Sequence, residues 1–234
     1  MKLNKKILVI AAHPDDEIIG CGGTIKKYTQ LGYKIKTIIL ARGIQSRFSI
    51  DSKKIISEQN KLMKAAKKAN LIIGVKDLTI YNLPDNKFDS LPILNIVKII
   101  ELEIKNFKPD KIITHFIYDL NIDHQYTANA VLTAARPENK DSVSEILFFE
   151  VNSSTDFQAQ YGDKSFKPNF FVDISKTLSF KSKALKCYKS EMRAYPHSRS
   201  IKSIINHNIA RGSSVGLKAC ETFLIVRKIE KNTK

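Results

Sequence analysis

The chain of 234 residues predicts an α/β protein, with a mostly parallel sheet covered by helices on both faces. Three observations carry this expectation. Short apolar runs of strand length alternate with longer amphipathic stretches, which is the pattern of a parallel sheet with crossover helices. The first run, Ile7-Leu8-Val9-Ile10-Ala11-Ala12, is apolar at every position, as a strand buried on both faces must be. Polar clusters sit where such strands end, at the sheet edge where doubly wound folds bind ligands. Together they describe one Rossmann-like domain over residues 1–234, its site at the carboxyl ends of the first and fourth strands.

Taken in order, the first strand begins at Lys6 and runs into His13-Pro14-Asp15-Asp16-Glu17 and a glycine turn, Gly20-Cys21-Gly22-Gly23. A helix over 24–31 follows and stops at Gly32. Lys34 to Leu40 is the second strand, and a loop holding Arg42 and Arg47 leads to a long helix from about Asp51 to Asn70. Leu78 to Leu83 is the third strand, closed by Pro84-Asp85-Asn86. A helix over 91–107 precedes the fourth strand, Lys111 to His115. The loop from Phe116 to Asp123 opens a helix from His124 to Ala135. Strands at Glu145 to Val151 and Asn169 to Ile174 come next, followed by a helix from Ser175 to Arg193. A polar loop with Pro196-His197, a helix near 200–211 and a last strand, Glu221 to Arg227, complete the pattern.

Composition narrows the function classes. A hydrophobic share of 43% and a charged share of 26% are ordinary for a globular protein, and no apolar run is long enough to span a bilayer. The N-terminal run lacks the form of a signal peptide. Cys21, Cys187 and Cys220 are odd in number and without paired spacing, which suits neither a disulfide framework nor a structural zinc site and points to the cytoplasm. The net charge of +16 comes mainly from lysines scattered along the chain. Nucleic-acid binders concentrate arginine and aromatic residues on one face, so no nucleic-acid partner is expected, and attraction of an anionic small molecule fits better. Oligomeric state is not legible.

The chemistry concentrates in two places. Four ionisable groups within five positions, His13 to Glu17, cannot be buried at a strand end without a compensating partner. The second cluster, Asp119-Leu120-Asn121-Ile122-Asp123-His124, follows the fourth strand. Strands one and four are commonly neighbours in a doubly wound sheet, which would bring His13 and Asp16 to His124. Two imidazoles and one carboxylate leave an open position, as catalytic zinc sites do. Asp15, beside such an ion, would take a proton from water activated by it. Arg42 and Arg47 lie on the same sheet edge and suit phosphate or sugar hydroxyls, and Arg199 beside His197 could meet a phosphate.

Ala12-His13-Pro14-Asp15-Asp16-Glu17 with the later Asn121-x-Asp123-His124 resembles the PIG-L/LmbE family of zinc-dependent N-acetylglucosaminyl deacetylases. Leu83-Pro84-Asp85, Pro109-Asp110 and Phe149-Glu150 extend the likeness over most of the chain. The resemblance implies Zn2+ held by His13, Asp16 and His124, and Asp15 as general base. It also implies hydrolysis of an acetamide on a small N-acetylated amino sugar, free, phosphorylated or nucleotide-linked. The sequence departs from some members at Asn121, where they carry histidine, and an amide cannot act as a general acid. His115 and His197 are the candidate substitutes, and Asp123 would orient a neighbouring side chain. Two readings compete: a nucleotide-binding Rossmann-like protein, which rests on Gly20, Gly22 and Gly23, whose spacing does not match the dinucleotide fingerprint, and a basic nucleic-acid-binding protein, which rests on the net charge.

Overall fold

In the computed structural model, which describes residues 5–44, 52–138, 142–159 and 161–230, the first apolar run forms β1 (Lys6–Ala11) at the middle of one seven-stranded sheet. Its side chains alternate between two cores. Ile7, Val9 and Ala11 face one apolar cluster, and Leu8, Ile10 and Ala12 face the other. Both faces are therefore covered, which is why no position in the run is polar.

The remaining strands are β2 (Lys34–Ala41), β3 (Asp77–Leu83), β4 (Lys111–His115), β5 (Glu145–Phe149), β6 (Phe170–Asp173) and β7 (Cys220–Lys228). They lie in the order β3-β2-β1-β4-β5-β7-β6. β1 pairs in parallel with both β2 and β4, so the chain reverses its direction of winding between β1 and β4, as expected. β7 alone runs antiparallel, inserted between β5 and β6.

Helices α1 (Asp16–Gln30), α2 (Ser52–Ile73), α5 (Leu178–Leu185) and α6 (Ile201–Ser213) contribute Ile18, Leu62, Ala66, Leu185 and Ile204 to the first core. Helices α3 (Ile93–Phe107) and α4 (Ile122–Ala134) supply Ile96, Ile100, Ala128 and Val131 to the second. Burying one of these isoleucine, leucine or valine side chains contributes about 1.5–3 kcal/mol.

Two elements differ from the sequence expectation. The glycines at 20–23 do not form a turn, because α1 already starts at Asp16 and runs through them with a kink at Cys21 (φ −147°, ψ 18°). They are packing residues. A Cβ on Gly20 would overlap the Phe149 ring, and one on Gly23 would lie 2.9 Å from the Ile174 side chain.

The kink breaks the i to i−4 ladder, and two distant side chains replace the lost bonds. Glu221 accepts from the backbone N–H of Gly23 (2.9 Å) and of Thr24 (2.6 Å). Lys181 donates to the carbonyl of Ile19 and to Glu221, each at 2.7 Å. The second difference lies after β6, where only Leu178–Leu185 of the expected helix 175–193 is α-helical. The chain beyond it folds into turns that seat the fully buried Tyr188 against α1.

Candidate metal centre and active site

β1 and β4 end side by side, and a hydrogen bond ties them: the N–H of Ala12 donates to His115 Nε2 at 2.8 Å. From this edge His13 turns into the site. Asp16, at the first position of α1, reaches back so that its Oδ2 accepts the backbone N–H of His13 at 3.0 Å. The same oxygen lies 3.3 Å from His13 Nδ1 and 3.1 Å from His124 Nε2. His124 arrives in the first turn of α4, whose N-cap is Asn121, its side chain accepting from the N–H of Asp123 at 2.9 Å. One donor atom each from His13, Asp16 and His124 falls within 4.8 Å of the others.

These residues fit a divalent cation on the structure's own terms. Asp16 Oδ1 and His124 Nε2 are buried without a hydrogen-bond partner, a costly state for polar atoms unless a further group completes them. The second nitrogen of each imidazole is held by a carboxylate, as metal-bound histidines usually are. Asp123 Oδ2 lies 3.0 Å from His13 Nε2, and Asp119 Oδ1 lies 3.1 Å from His124 Nδ1. Asp119 is itself fixed by Ser154, by Thr155 (2.6 Å) and by the N–H of Asn121 (2.9 Å).

The charge balance agrees. Burial opposes protonation of His13, but the Asp123 and Asp16 carboxylates outweigh it and lift its pKa to about 10. Burial likewise opposes a charged His124, and Asp16 and Asp119 raise it to about 9. The cluster of carboxylates thus demands positive charge, which protons or a metal ion can supply.

Asp15 precedes α1 with a left-handed backbone (φ 104°, ψ −28°) and makes no side-chain cap bond, so its carboxylate is not used as an ordinary helix cap. It lines a cavity of about 250 Å³ together with His13, Asp85, Asn121, His124 and Arg199. Asp15 Oδ2 is buried and without a hydrogen-bond partner. Arg199 Nη2 lies 3.6 Å from Asp15 Oδ1 and from Asp16 Oδ1. Burial pushes the Asp15 carboxyl well above the usual carboxylate range, and the Arg199 guanidinium pulls the other way.

A family model described as GlcNAc-PI de-N-acetylase (PIG-L) matches residues 8–135, more than half of the chain and the whole His13-to-His124 set. The chain belongs to the PIG-L family. A probable N-acetyl-α-D-glucosaminyl L-malate deacetylase 2 of Bacillus anthracis is 26% identical over 196 residues, which are 82% of this chain and 83% of that protein. A diacetylchitobiose deacetylase of Thermococcus kodakarensis is 30% identical over 196 residues, 80% of this chain and 70% of that one. The solved structure of N,N'-diacetylchitobiose deacetylase from Pyrococcus horikoshii superposes with a TM-score of 0.78 at 23% identity, covering 97% of this chain and 85% of the other. That likeness establishes the shared fold.

In this PIG-L protein the other residues singled out by sequence fall into distinct places. Asn121 reaches the cavity wall, where its Nδ2 donates to Asn86 Oδ1 at 3.2 Å. Asp123 finds its partner in His13 itself. His115 is fully buried behind the site, its ring stacked on His124 with centroids 3.8 Å apart. Burial and the neighbouring His124 hold its pKa well below the ordinary value, and its Nε2 accepts from the N–H of Ala12.

His197 is exposed and lies in a separate shallow depression with Phe157 and Tyr195. Arg42 is exposed just past β2, and the adjacent Gly43 and Ile44 reach the cavity wall in its stead. Arg47 lies outside the described residues. Asp119 and Glu191 gained no role from sequence. Asp119 stood in plain view inside the second cluster, whereas the buried Glu191 enters the cavity wall only through the turns after α5.

Proposed function

We propose that this deacetylase removes the acetyl group from a small N-acetylated amino sugar or its conjugate, using a zinc ion and Asp15 as general base. The observation that carries the reading is the convergence of His13, Asp16 and His124 on one point beside the unpartnered carboxylate oxygen of Asp15. The names of the relatives support the substrate class, since each acts on an N-acetylated glucosamine derivative.

His13, Asp16 and His124 would hold the ion, which supplies Lewis acidity toward the amide carbonyl and toward water. Asp123 and Asp119 fix the tautomer and direction of the two imidazoles. Asp15 accepts the proton of the attacking water and hands it to the departing amine nitrogen. Its place on the cavity wall, with one oxygen unpartnered, leaves that oxygen free to take the proton and return it. Arg199 and the Asn121 amide offer N–H donors at the cavity wall for substrate oxygens. With one arginine there and three free cysteines in the chain, we read the enzyme as cytoplasmic and its substrate as free, phosphorylated or nucleotide-linked, with residues 1–234 acting as one domain. Among the described residues no helix is long and apolar enough to cross a membrane.

Acetate release from N-acetylglucosamine, diacetylchitobiose and a nucleotide-linked N-acetyl sugar tests the reading. Release should require added zinc, stop with a chelator and fall by about a hundred- to ten-thousandfold in Asp15→Asn, the range that proton transfer contributes. Normal zinc loading with no release from any of the three would sink the amino-sugar assignment.

A further inference from the structure

The mechanism gives the buried carboxylate of Glu17 no task. Glu17 is fully inaccessible and does not reach the cavity wall, yet three donors from three parts of the chain close on it. Its Oε2 accepts the backbone N–H of Asp15 at 3.0 Å. Its Oε1 accepts the Tyr188 hydroxyl at 2.5 Å and the Asn70 amide at 2.9 Å. Asn70 belongs to α2 and Tyr188 to the turns after α5, and both are as buried as Glu17. Each oxygen is satisfied, so the group offers nothing to a ligand. What it holds is the peptide N–H of Asp15.

That backbone is the unusual feature of the site. A non-glycine residue at φ 104° is held against its steric preference, and such conformations persist only where the surroundings over-determine them. With extended backbone, an aspartate before a helix folds its carboxylate onto the helix's own N–H groups. The left-handed turn prevents this and leaves Asp15 facing the cavity.

We infer that Glu17 is a positioning residue: anchored by Tyr188 and Asn70, it keeps Asp15 in the left-handed conformation that aims its carboxylate at the reacting centre. The inference rests on the reading of Asp15 as general base, and its test separates the two.

Glu17→Gln keeps the shape but presents an NH2 group to an existing donor in either orientation of the amide. In the zinc-reconstituted enzyme we expect one metal per chain, KM within about threefold and kcat down by about 10–100-fold, as for a misaimed reacting group. A crystal structure of the variant should show Asp15 relaxed to negative φ, a readout that needs no activity. Tyr188→Phe removes one donor only and should lower kcat by about three- to tenfold with the metal retained. It carries the test if Glu17→Gln does not fold.

Unchanged kcat in the metal-loaded variants, or Asp15 still near φ 104° in Glu17→Gln, overturns the positioning role. An active Asp15→Asn overturns the base assignment instead, while the φ of Asp15 in Glu17→Gln still decides whether Glu17 holds that backbone.

Discussion

Asp123 accepts from two backbone N–H groups, those of Asn86 (2.7 Å) and Phe88 (2.9 Å), and faces His13 Nε2 with the oxygen that takes the Asn86 bond. Its direction is thus set by the chain after β3, and the ring of His13 follows. Replacing it with alanine should leave the three ligands in place but free the imidazole to rotate and choose its tautomer. We expect Asp123→Ala to bind zinc about 10–100-fold more weakly, measured by competition with a chromophoric chelator. Affinity within a factor of two of the parent would show that Asp123 does not orient the ligand.

This residue also marks the limit of what sequence shows at this scale. That His13, Asp16 and His124 converge, with Asp15 beside them in the cavity, was legible because residue types at strand ends with that spacing admit few uses. The partner of Asp123 was not, because His13 stands 110 positions away. Glu17 was legible only as one more acid in a cluster, since Asn70 and Tyr188 join it solely through packing.

At the scale of elements, the end of β5 is tied to α6 through Glu150. Its carboxylate accepts from Arg211 Nη2 at 2.7 Å and Nε at 3.0 Å, lies 3.0 Å from His207 Nε2 and contacts Thr222 on β7. Burial alone would raise its pKa, but the His207 ring and the Arg211 guanidinium outweigh that and hold it at about 2, below the ordinary 4.5. A carboxylate with a depressed folded-state pKa contributes stability that is present above 4.5 and lost as pH falls toward 2. The full shift would correspond to about 3 kcal/mol, and partial solvent access at this edge reduces that to about 2 kcal/mol. Glu150→Gln should therefore unfold at lower urea concentration than the parent at pH 7, with the gap narrowing between pH 4.5 and pH 2. A gap independent of pH would assign the loss to packing.

The same scale shows why most elements were legible and α1 was not. Strands and helices with a single apolar period could be read directly. The parallel pairing of β1 with β4 followed from the alternation. Gly20 and Gly23 looked like a turn because glycine usually marks one. Their reason lies in Phe149 and Ile174 across the core, and no local pattern reports such a neighbour. The antiparallel return of β7 between β5 and β6 was equally silent.

For the whole molecule, sign and location of charge disagree. The chain carries a net +16, yet Asp15, Asp85 and Glu191 line the cavity against one arginine, Arg199. An anionic group would be drawn toward the protein by its overall field, and at the cavity it would meet Arg199 and the positive charge held between His13 and His124 on one side and the Asp85 and Glu191 carboxylates on the other. Long-range attraction acts on the encounter and is screened over a Debye length of about 10 Å at 0.1 M salt. Raising sodium chloride from about 20 to 500 mM should lower kcat/KM for a nucleotide-linked N-acetyl sugar several-fold, leave its kcat unchanged, and leave both constants for uncharged N-acetylglucosamine unaffected. Equal salt sensitivity for the two substrates would mean that salt acts on the enzyme itself. Insensitivity of both would mean that the scattered lysines serve solubility and do not guide the substrate.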